Sequence, residues 1–148
     1  MKVQIKKAEK IFIDYLKQKQ LKYTAERRTI LKRLFSLHGH FEADELYLRV
    51  RQKADPRISR ATVYRTLPLL EESRLLRRVA FVDKHAHYEN AYAQKHHEHL
   101  ICIKCGKIID FYRKSLEDAL DDVARENEFE PVDHKLEITG YCKDCKKG

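Results

Sequence analysis

The sequence predicts an α+β protein: an N-terminal winged helix-turn-helix domain, then a small α/β domain with a four-cysteine zinc site. Three observations predict this fold. Apolar residues recur at helical spacing through the N-terminal half, a basic two-strand hairpin follows at 76–91, and two Cys-x-x-Cys pairs flank the C-terminal region. We divide the chain into residues 1–92 and 93–148, because beyond residue 94 the composition changes to strands, one helix and cysteines.

The bulk composition describes a folded and basic chain. With 148 residues, 36% charged residues, four glycines and three prolines, it fits one domain or two small ones. A net charge of +8 favours an anionic partner, nucleic acid before a membrane surface. No apolar run approaches the roughly 20 residues that cross a bilayer, and no secretory signal opens the chain. We therefore expect a cytoplasmic protein with reduced thiols and no membrane partner.

Four helices are predicted before the hairpin. The first three cover residues 8–19, 25–37 and 42–53, and Thr24 is the expected N-cap of the second. After a break at Asp55-Pro56, the fourth follows the expected cap Ser59 and reads RATVYRTLPLLEESR. These lengths are typical of a compact helical domain.

The fourth helix has one apolar side and one outward side. The outward side carries Ala61, Tyr64 and Arg65. A small residue, a phenol and a guanidinium suit insertion into a DNA major groove, although an ordinary surface helix would show the same pattern. Pro68 lies inside this helix and is expected to kink its axis.

The hairpin completes the winged helix-turn-helix. Residues 76–82 and 85–91 are predicted strands, joined by a turn at 83–84. In such a fold the hairpin is a wing whose basic side chains contact phosphates. The expected phosphate contacts are Arg77, Arg78 and Lys84.

The four cysteines match a structural zinc site. Cys102 with Cys105 and Cys142 with Cys145 form two Cys-x-x-Cys knuckles, and four thiolates complete a tetrahedron without an open position for chemistry. A thioredoxin-like redox site would instead need one such pair at the start of a helix. We therefore expect zinc with a role in folding.

A histidine-rich run precedes the first knuckle and reads KHHEHLICIKCGKIID from Lys95. On a strand, His97 and His99 would point to one face, and His96 and Glu98 to the other. Imidazole and carboxylate ligands without thiolate suit Fe(II), Mn(II), Co(II) or Zn(II). The H-E-x-x-H spacing of metallohydrolases is absent.

This run, read as HHEHLICIKCGKIIDF, follows ATVYRTL and the pattern HxxxxELY from His40 to Tyr47. Together these motifs resemble the ferric uptake regulator family of metal-dependent repressors, and the resemblance covers nearly the whole chain. It implies a homodimer, or a higher oligomer of it, in which a winged-helix DNA-binding domain is joined by a hinge to an α/β dimerisation domain.

The resemblance also implies roles for individual residues. A regulatory metal site bridging the two domains corresponds to His40, Glu89, His97 and His99, and Asp110 stands where some members add a carboxylate. A second metal site within the dimerisation domain corresponds to His96, Glu98, Glu117 and His134. Tyr64 and Arg65 resemble the base-contacting pair, and Lys22 resembles a residue that reaches the minor groove.

The expected function is an Fe(II)-dependent repressor of metal-uptake genes that binds operator DNA, with Mn(II), Co(II) or Zn(II) as substitute metals. A peroxide sensor is an alternative, although such relatives typically carry aspartate where Glu89 stands. A manganese or zinc sensor is another, although zinc sensors often use a regulatory cysteine and all four cysteines here belong to the knuckles. A zinc enzyme acting on nucleic acid would need an open metal position beside a general base, so we expect no enzyme. A zinc-ribbon adaptor leaves the histidines unexplained.

Overall fold

The computed structural model describes residues 2–53, 58–82 and 85–146. The chain forms two compact units, Met1–Lys95 and His96–Gly148, and each is treated by itself below. The expected break at 55–56 and the expected wing turn at 83–84, with Lys84, lie outside the described residues.

Four helices build most of the first unit: α1 (Lys2–Gln18), α2 (Ala25–Leu34), α3 (Ala43–Lys53) and α4 (Arg60–Glu72). Helix α1 begins six residues before the predicted start at residue 8, because lysine is a good helix former and the N-terminal lysine run continues the helix. All four predicted helices are thus present, with shifted ends.

Both predicted N-caps of the first unit are confirmed. The side-chain oxygen of Thr24 accepts a hydrogen bond from the Arg27 amide, and that of Ser59 accepts one from the Thr62 amide. Each cap satisfies a backbone donor that the first helical turn leaves without a partner. Helix α4 continues through Pro68, which has no amide proton to donate to the carbonyl of Tyr64.

A three-stranded antiparallel sheet closes the first unit. Its strands are β1 (His40–Glu42), β2 (Leu76–Val82) and β3 (His85–Asn90), in the order β1-β3-β2. The two wing strands were predicted, whereas β1 was not, because three residues are too few to show an alternating pattern. Strand β1 places His40 directly beside Glu89 of the central strand.

The core of the first unit lies between its helices and this sheet. Leucine, isoleucine, valine and phenylalanine side chains from all four helices are buried there, each worth about 1.5–3 kcal/mol when removed from water. The largest are Phe12, Leu16, Ile30, Leu31, Leu34, Leu46, Val50 and Leu70 in the helices, together with Leu75 just after α4. Because Val63, Leu67 and Leu70 of α4 are buried, the opposite side of that helix faces solvent.

The second unit combines a three-stranded sheet with one helix: β4 (Glu98–Cys102), β5 (Ile108–Phe111), α5 (Lys114–Glu126) and β6 (Glu137–Gly140). Strand β4 is central, antiparallel to β5 and parallel to β6. The sequence pattern predicts Ser115 as the cap of this helix, but α5 starts after Arg113 without a side-chain cap, so that prediction is wrong. The run VDHKLEITG predicts a last strand over residues 132–140, whereas β6 starts only at Glu137. The predicted α+β class is confirmed.

The second unit leaves apolar surface open to solvent. Helix α5 has a pronounced apolar side, yet none of its residues is buried. Val123, Phe129, Val132 and Ile138 are 57%, 68%, 72% and 52% exposed. Within the described part of the chain, no helix is long and apolar enough to cross a membrane.

Candidate metal centres and nucleic-acid interface

The four cysteines meet in one cluster in the second unit. All four thiols are free, and their sulfur atoms lie within 4.8 Å of one another. The Sγ atoms of Cys105 and Cys142 are 3.8 Å apart. A tetrahedron with zinc–sulfur bonds of about 2.3 Å has edges of about 3.8 Å, so the spacing fits zinc.

Backbone geometry builds each knuckle. Strand β4 ends at Cys102, and the chain turns back through Gly106, whose φ of +75° favours glycine. The Gly106 amide donates to the Cys102 carbonyl at 2.9 Å. In the second knuckle the Cys145 amide donates to the Cys142 carbonyl at 3.0 Å. Both turns direct two sulfurs towards one point.

The thiols differ in acidity. Amide donors from Cys142 and Cys105 lower the pKa of Cys102 to about 6, because they stabilise its thiolate. Hydrogen bonding to neighbouring sulfurs raises the pKa of Cys145 to about 12. Without metal Cys145 therefore keeps its proton at neutral pH, and binding of a metal to its sulfur releases that proton.

A second cluster in the same unit contains only imidazole and carboxylate groups. The Nε2 atoms of His96 and His134 lie 3.0 Å apart, and both approach Glu98 Oε1, at 2.6 and 2.8 Å. Glu117 faces the same point: its Oε1 is 3.5 Å from His96 Nε2, and its Oε2 is 3.5 Å from His134 Nε2. Four ligand atoms thus converge within a single unit, as a divalent cation requires.

Two features of this cluster suit a metal ion. Glu98 is buried, which raises its pKa, but hydrogen bonds from the Leu136 amide, His96 and His134 outweigh the burial and hold the pKa below its usual value. Glu117 Oε1 is buried and accepts no hydrogen bond from the described residues. A cation would supply the missing partner.

Two of the predicted regulatory ligands lie side by side in the first unit. His40 and Glu89 are paired across β1 and β3, and His40 Nε2 is 3.5 Å from Glu89 Oε2. Glu89 is 1% exposed. Neighbouring ligands in a polyhedron with bonds of about 2.1 Å lie about 3.0–3.4 Å apart, so this pair needs little adjustment to share an ion.

The other predicted regulatory ligands lie together in the second unit. The Nε2 atoms of His97 and His99 are each 3.8 Å from an oxygen of Asp110. The two imidazole rings are 4.9 Å apart between centroids. The expected alternation is observed, since His97 and His99 face Asp110 whereas His96 and Glu98 face His134.

The outward side of α4 is the candidate nucleic-acid interface. Ala61, Tyr64 and Arg65 are exposed, as the helical periodicity predicts. Sequence reasoning missed Asp44 of α3, whose Oδ1 accepts a hydrogen bond of 2.9 Å from the Tyr64 hydroxyl. Burial and this bond raise the pKa of Tyr64. No sequence signal marks a contact between residues 20 positions apart.

The wing arginines have acidic neighbours in their own unit. Arg78 donates to Glu71 at 3.0 Å and lies over the ring of Tyr88 at 5.6 Å. Arg77 Nη1 lies 3.6 Å from Glu89 Oε1. Any phosphate must therefore compete with these carboxylates. Lys22, in the segment between α1 and α2, has an exposed side chain.

Three comparisons place these features among known proteins. The model of the ferric uptake regulator family matches residues 18–139. The ferric uptake regulation protein of Campylobacter jejuni is 38% identical over 135 residues, covering 90% of this chain and 85% of its own. The peroxide-responsive repressor PerR of Staphylococcus epidermidis is 32% identical over 135 residues, covering 91% and 88%.

A solved structure is similar over almost the full length. The ferric uptake regulator of Helicobacter pylori, whose structure reveals three functional metal-binding sites, superimposes with a TM-score of 0.74 at 27% identity. The match covers 97% of this chain and 95% of the other. The family resemblance drawn from the sequence motifs is confirmed.

Proposed function

The chain belongs to the ferric uptake regulator family of metal-responsive transcription regulators, and from that premise we propose that it is an Fe(II)-dependent repressor of metal-uptake genes in the cytoplasm. The convergence of imidazole and carboxylate ligands on points separate from the thiol cluster carries this proposal. Operator binding measured anaerobically with Fe(II), Mn(II), Co(II) or Zn(II) tests it. Equal operator affinity with and without each metal would contradict the proposal.

Each metal class has its own ligand set in this proposal. Zinc takes the four cysteines as a structural ion, because a closed tetrahedron of thiolates leaves no exchangeable position. Fe(II) takes His40 and Glu89 from the first unit and His97 and His99 from the second, with Asp110 as an additional ligand. Nitrogen and oxygen donors suit Fe(II) and Mn(II) better than they suit ions that prefer thiolate ligands. His96, Glu98, Glu117 and His134 hold a further divalent ion.

The regulatory ion acts by joining the two units. Ligands drawn from both would restrict the orientation of the DNA-binding unit relative to the other. In a homodimer this sets the distance between two α4 helices, which must enter major grooves about one helical turn apart. The ion then shifts the chain towards the DNA-binding arrangement. The size of this shift is set by how much more tightly the ion binds that arrangement than the others.

The homodimer is supported by the exposed apolar surface of the second unit. Val123, Phe129 and Val132 line one groove and leave large apolar groups in water. Contiguous apolar patches on a soluble domain commonly mark a protein interface. A second copy of the chain would cover this surface symmetrically.

Arg65 is expected to read bases from the outward side of α4. Replacing Arg65 with alanine should weaken operator binding by about 1–3 kcal/mol and relax sequence choice, because a guanidinium contact to a base edge is lost. Fluorescence anisotropy with operator and random duplexes measures both effects. Lys10→Ala, which removes the same charge from the exposed surface of α1, is the control and should leave the preference unchanged. Unchanged operator preference in Arg65→Ala would place the recognition surface elsewhere.

Asp44 is expected to sharpen this recognition by holding Tyr64. Replacing Asp44 with alanine releases the phenol, at a cost of about 1 kcal/mol for one hydrogen bond, and removes a negative charge that repels phosphate. Both effects lower the ratio of operator affinity to random-DNA affinity. Asp44→Asn, which can still accept the Tyr64 hydrogen bond, should lose less of this ratio. If both variants keep the wild-type ratio, the Asp44–Tyr64 contact has no role in recognition.

A peroxide sensor is the second candidate, favoured by the similarity to PerR of Staphylococcus epidermidis. In that case bound iron would oxidise one of its own histidine ligands on exposure to peroxide. Mass spectrometry of the peptides that contain His40 and His97, after peroxide treatment of the iron-loaded protein, separates the two functions. Addition of one oxygen atom to either histidine supports the peroxide sensor.

A further inference from the structure

Three charged or ionisable residues form a row across the sheet of the first unit. Glu89 on the central strand β3 is paired with His40 on β1 and with Arg77 on β2. Directly paired residues of antiparallel strands project from the same face. Glu89 therefore lies between an imidazole and a guanidinium.

Each neighbour approaches a different oxygen of the Glu89 carboxylate. His40 Nε2 is 3.5 Å from Oε2, and Arg77 Nη1 is 3.6 Å from Oε1. The Glu89 side chain is 1% exposed, and a carboxylate so buried needs a compensating charge. Arginine stays protonated at every relevant pH, whereas histidine is charged only when protonated. Arg77 is thus the permanent counter-ion of Glu89.

A divalent ion at Glu89 would change this balance. It would bring two positive charges to a carboxylate that already has the positive charge of Arg77 beside it. Because the ion and the Arg77 guanidinium would both be partly shielded from water, salt screens their repulsion only weakly. Arg77 is 20% exposed and has a long flexible stem, so its guanidinium can move into solvent.

We propose that Arg77 is an exchangeable counter-ion of Glu89 that competes with the regulatory metal for this carboxylate. The inference rests on the proposed function, in which Glu89 is a metal ligand. Strand β2 belongs to the wing, so a displaced guanidinium is available to a DNA phosphate, which it binds through paired hydrogen bonds. Metal and phosphate would then favour one another, because each is stabilised when Arg77 leaves Glu89.

The test measures metal affinity rather than DNA binding alone. Co(II) is titrated into the zinc-loaded full-length chain against a competing chelator, and its visible absorption reports the ligand set. A His96→Ala background removes the second site from the signal. Arg77→Met keeps much of the side-chain volume without the charge, and should bind Co(II) about tenfold more tightly because the repulsion is gone. Arg77→Lys keeps the charge, so its Co(II) affinity should stay within about threefold of that of the chain with Arg77.

The neighbouring arginine provides the matched control. Arg78 lies on the same strand but bonds to Glu71 and covers the ring of Tyr88, on the other face from Glu89. Arg78→Met loses the same charge and should leave Co(II) affinity unchanged. Glu89→Gln should weaken Co(II) binding, and adding Arg77→Met to it should give no tightening, because the competition needs the carboxylate.

The outcomes separate this inference from the proposed function. Weaker or unchanged Co(II) binding in Arg77→Met, with Glu89→Gln still impaired, overturns the competition and identifies Arg77 as a residue that holds Glu89 in place. Unchanged binding in Glu89→Gln, with binding lost in His97→Ala, removes Glu89 from the ligands and overturns the inference alone. If the zinc-loaded chain binds no Co(II) at all, both the inference and the proposed function are overturned.

Discussion

Replacing Cys102 with serine is expected to release the zinc, unfold the second unit and abolish the dimer. A structural zinc ion contributes about 10–16 kcal/mol of folding free energy, comparable to the whole stability of a small domain. The second unit has little else to hold it, since its buried residues in the described range are Glu98, His99, Ile101 and Cys102. Loss of one thiolate, and with it the zinc, should therefore cost more folding free energy than the remaining contacts of this unit provide.

Three measurements check this expectation. Elemental analysis after mild chelation should find one zinc per wild-type chain and none in Cys102→Ser. Sedimentation should show loss of the dimer, and circular dichroism should retain the helices of the first unit, whose core does not involve the cysteines. His96→Ala is the control that disturbs the same unit without touching the thiols, and should keep both zinc and dimer. A zinc-free Cys102→Ser protein that remains folded and dimeric would rule out the structural role.

The second large effect is expected at His97. His97→Ala should abolish the metal dependence of operator binding and leave the zinc and the dimer intact, because His97 faces Asp110 rather than the thiol cluster. Coupling between a metal and DNA is typically worth about 1–3 kcal/mol, and linkage requires DNA to tighten metal binding by the same factor. Both directions can be measured on one preparation, by operator titration at fixed metal and by metal titration at fixed operator.

His96→Ala is the matched control for this experiment. The two histidines are neighbours in the chain, and His96 contacts Glu98 and His134 instead of Asp110. Its replacement should remove one ligand of the second site and change the metal response of DNA binding less. If His96→Ala loses the response and His97→Ala keeps it, the regulatory ion occupies the second cluster.

Local chemistry explains what could be predicted. The helices of the first unit follow from apolar periodicity and from the caps Thr24 and Ser59, which act within four residues. The alternation of ligands at 96–99 matches the period of two of a strand, although only Glu98 and His99 belong to β4. The thiol cluster follows from the two knuckles, in which the spacing itself limits where the sulfurs can point.

The errors in prediction occur where local signals are weak. Strand β1 has three residues, and it forms because β3 offers an edge to pair with, not because of its own pattern. The start of α5 at Lys114 rather than after Ser115 reflects a helix that begins without a side-chain cap.

The sequence by itself determined the fold class, the two thiol knuckles and the residue types available to metals, because these depend on spacing along the chain. Only the tertiary structure decided which groups meet. It sets Asp44 beside Tyr64 and Arg77 beside Glu89, and it brings His134 and Glu117 to His96, a grouping that only the family resemblance had implied. The physical reason is that such contacts join strands and helices far apart in sequence, and their geometry follows from sheet register and helix packing rather than from any local pattern.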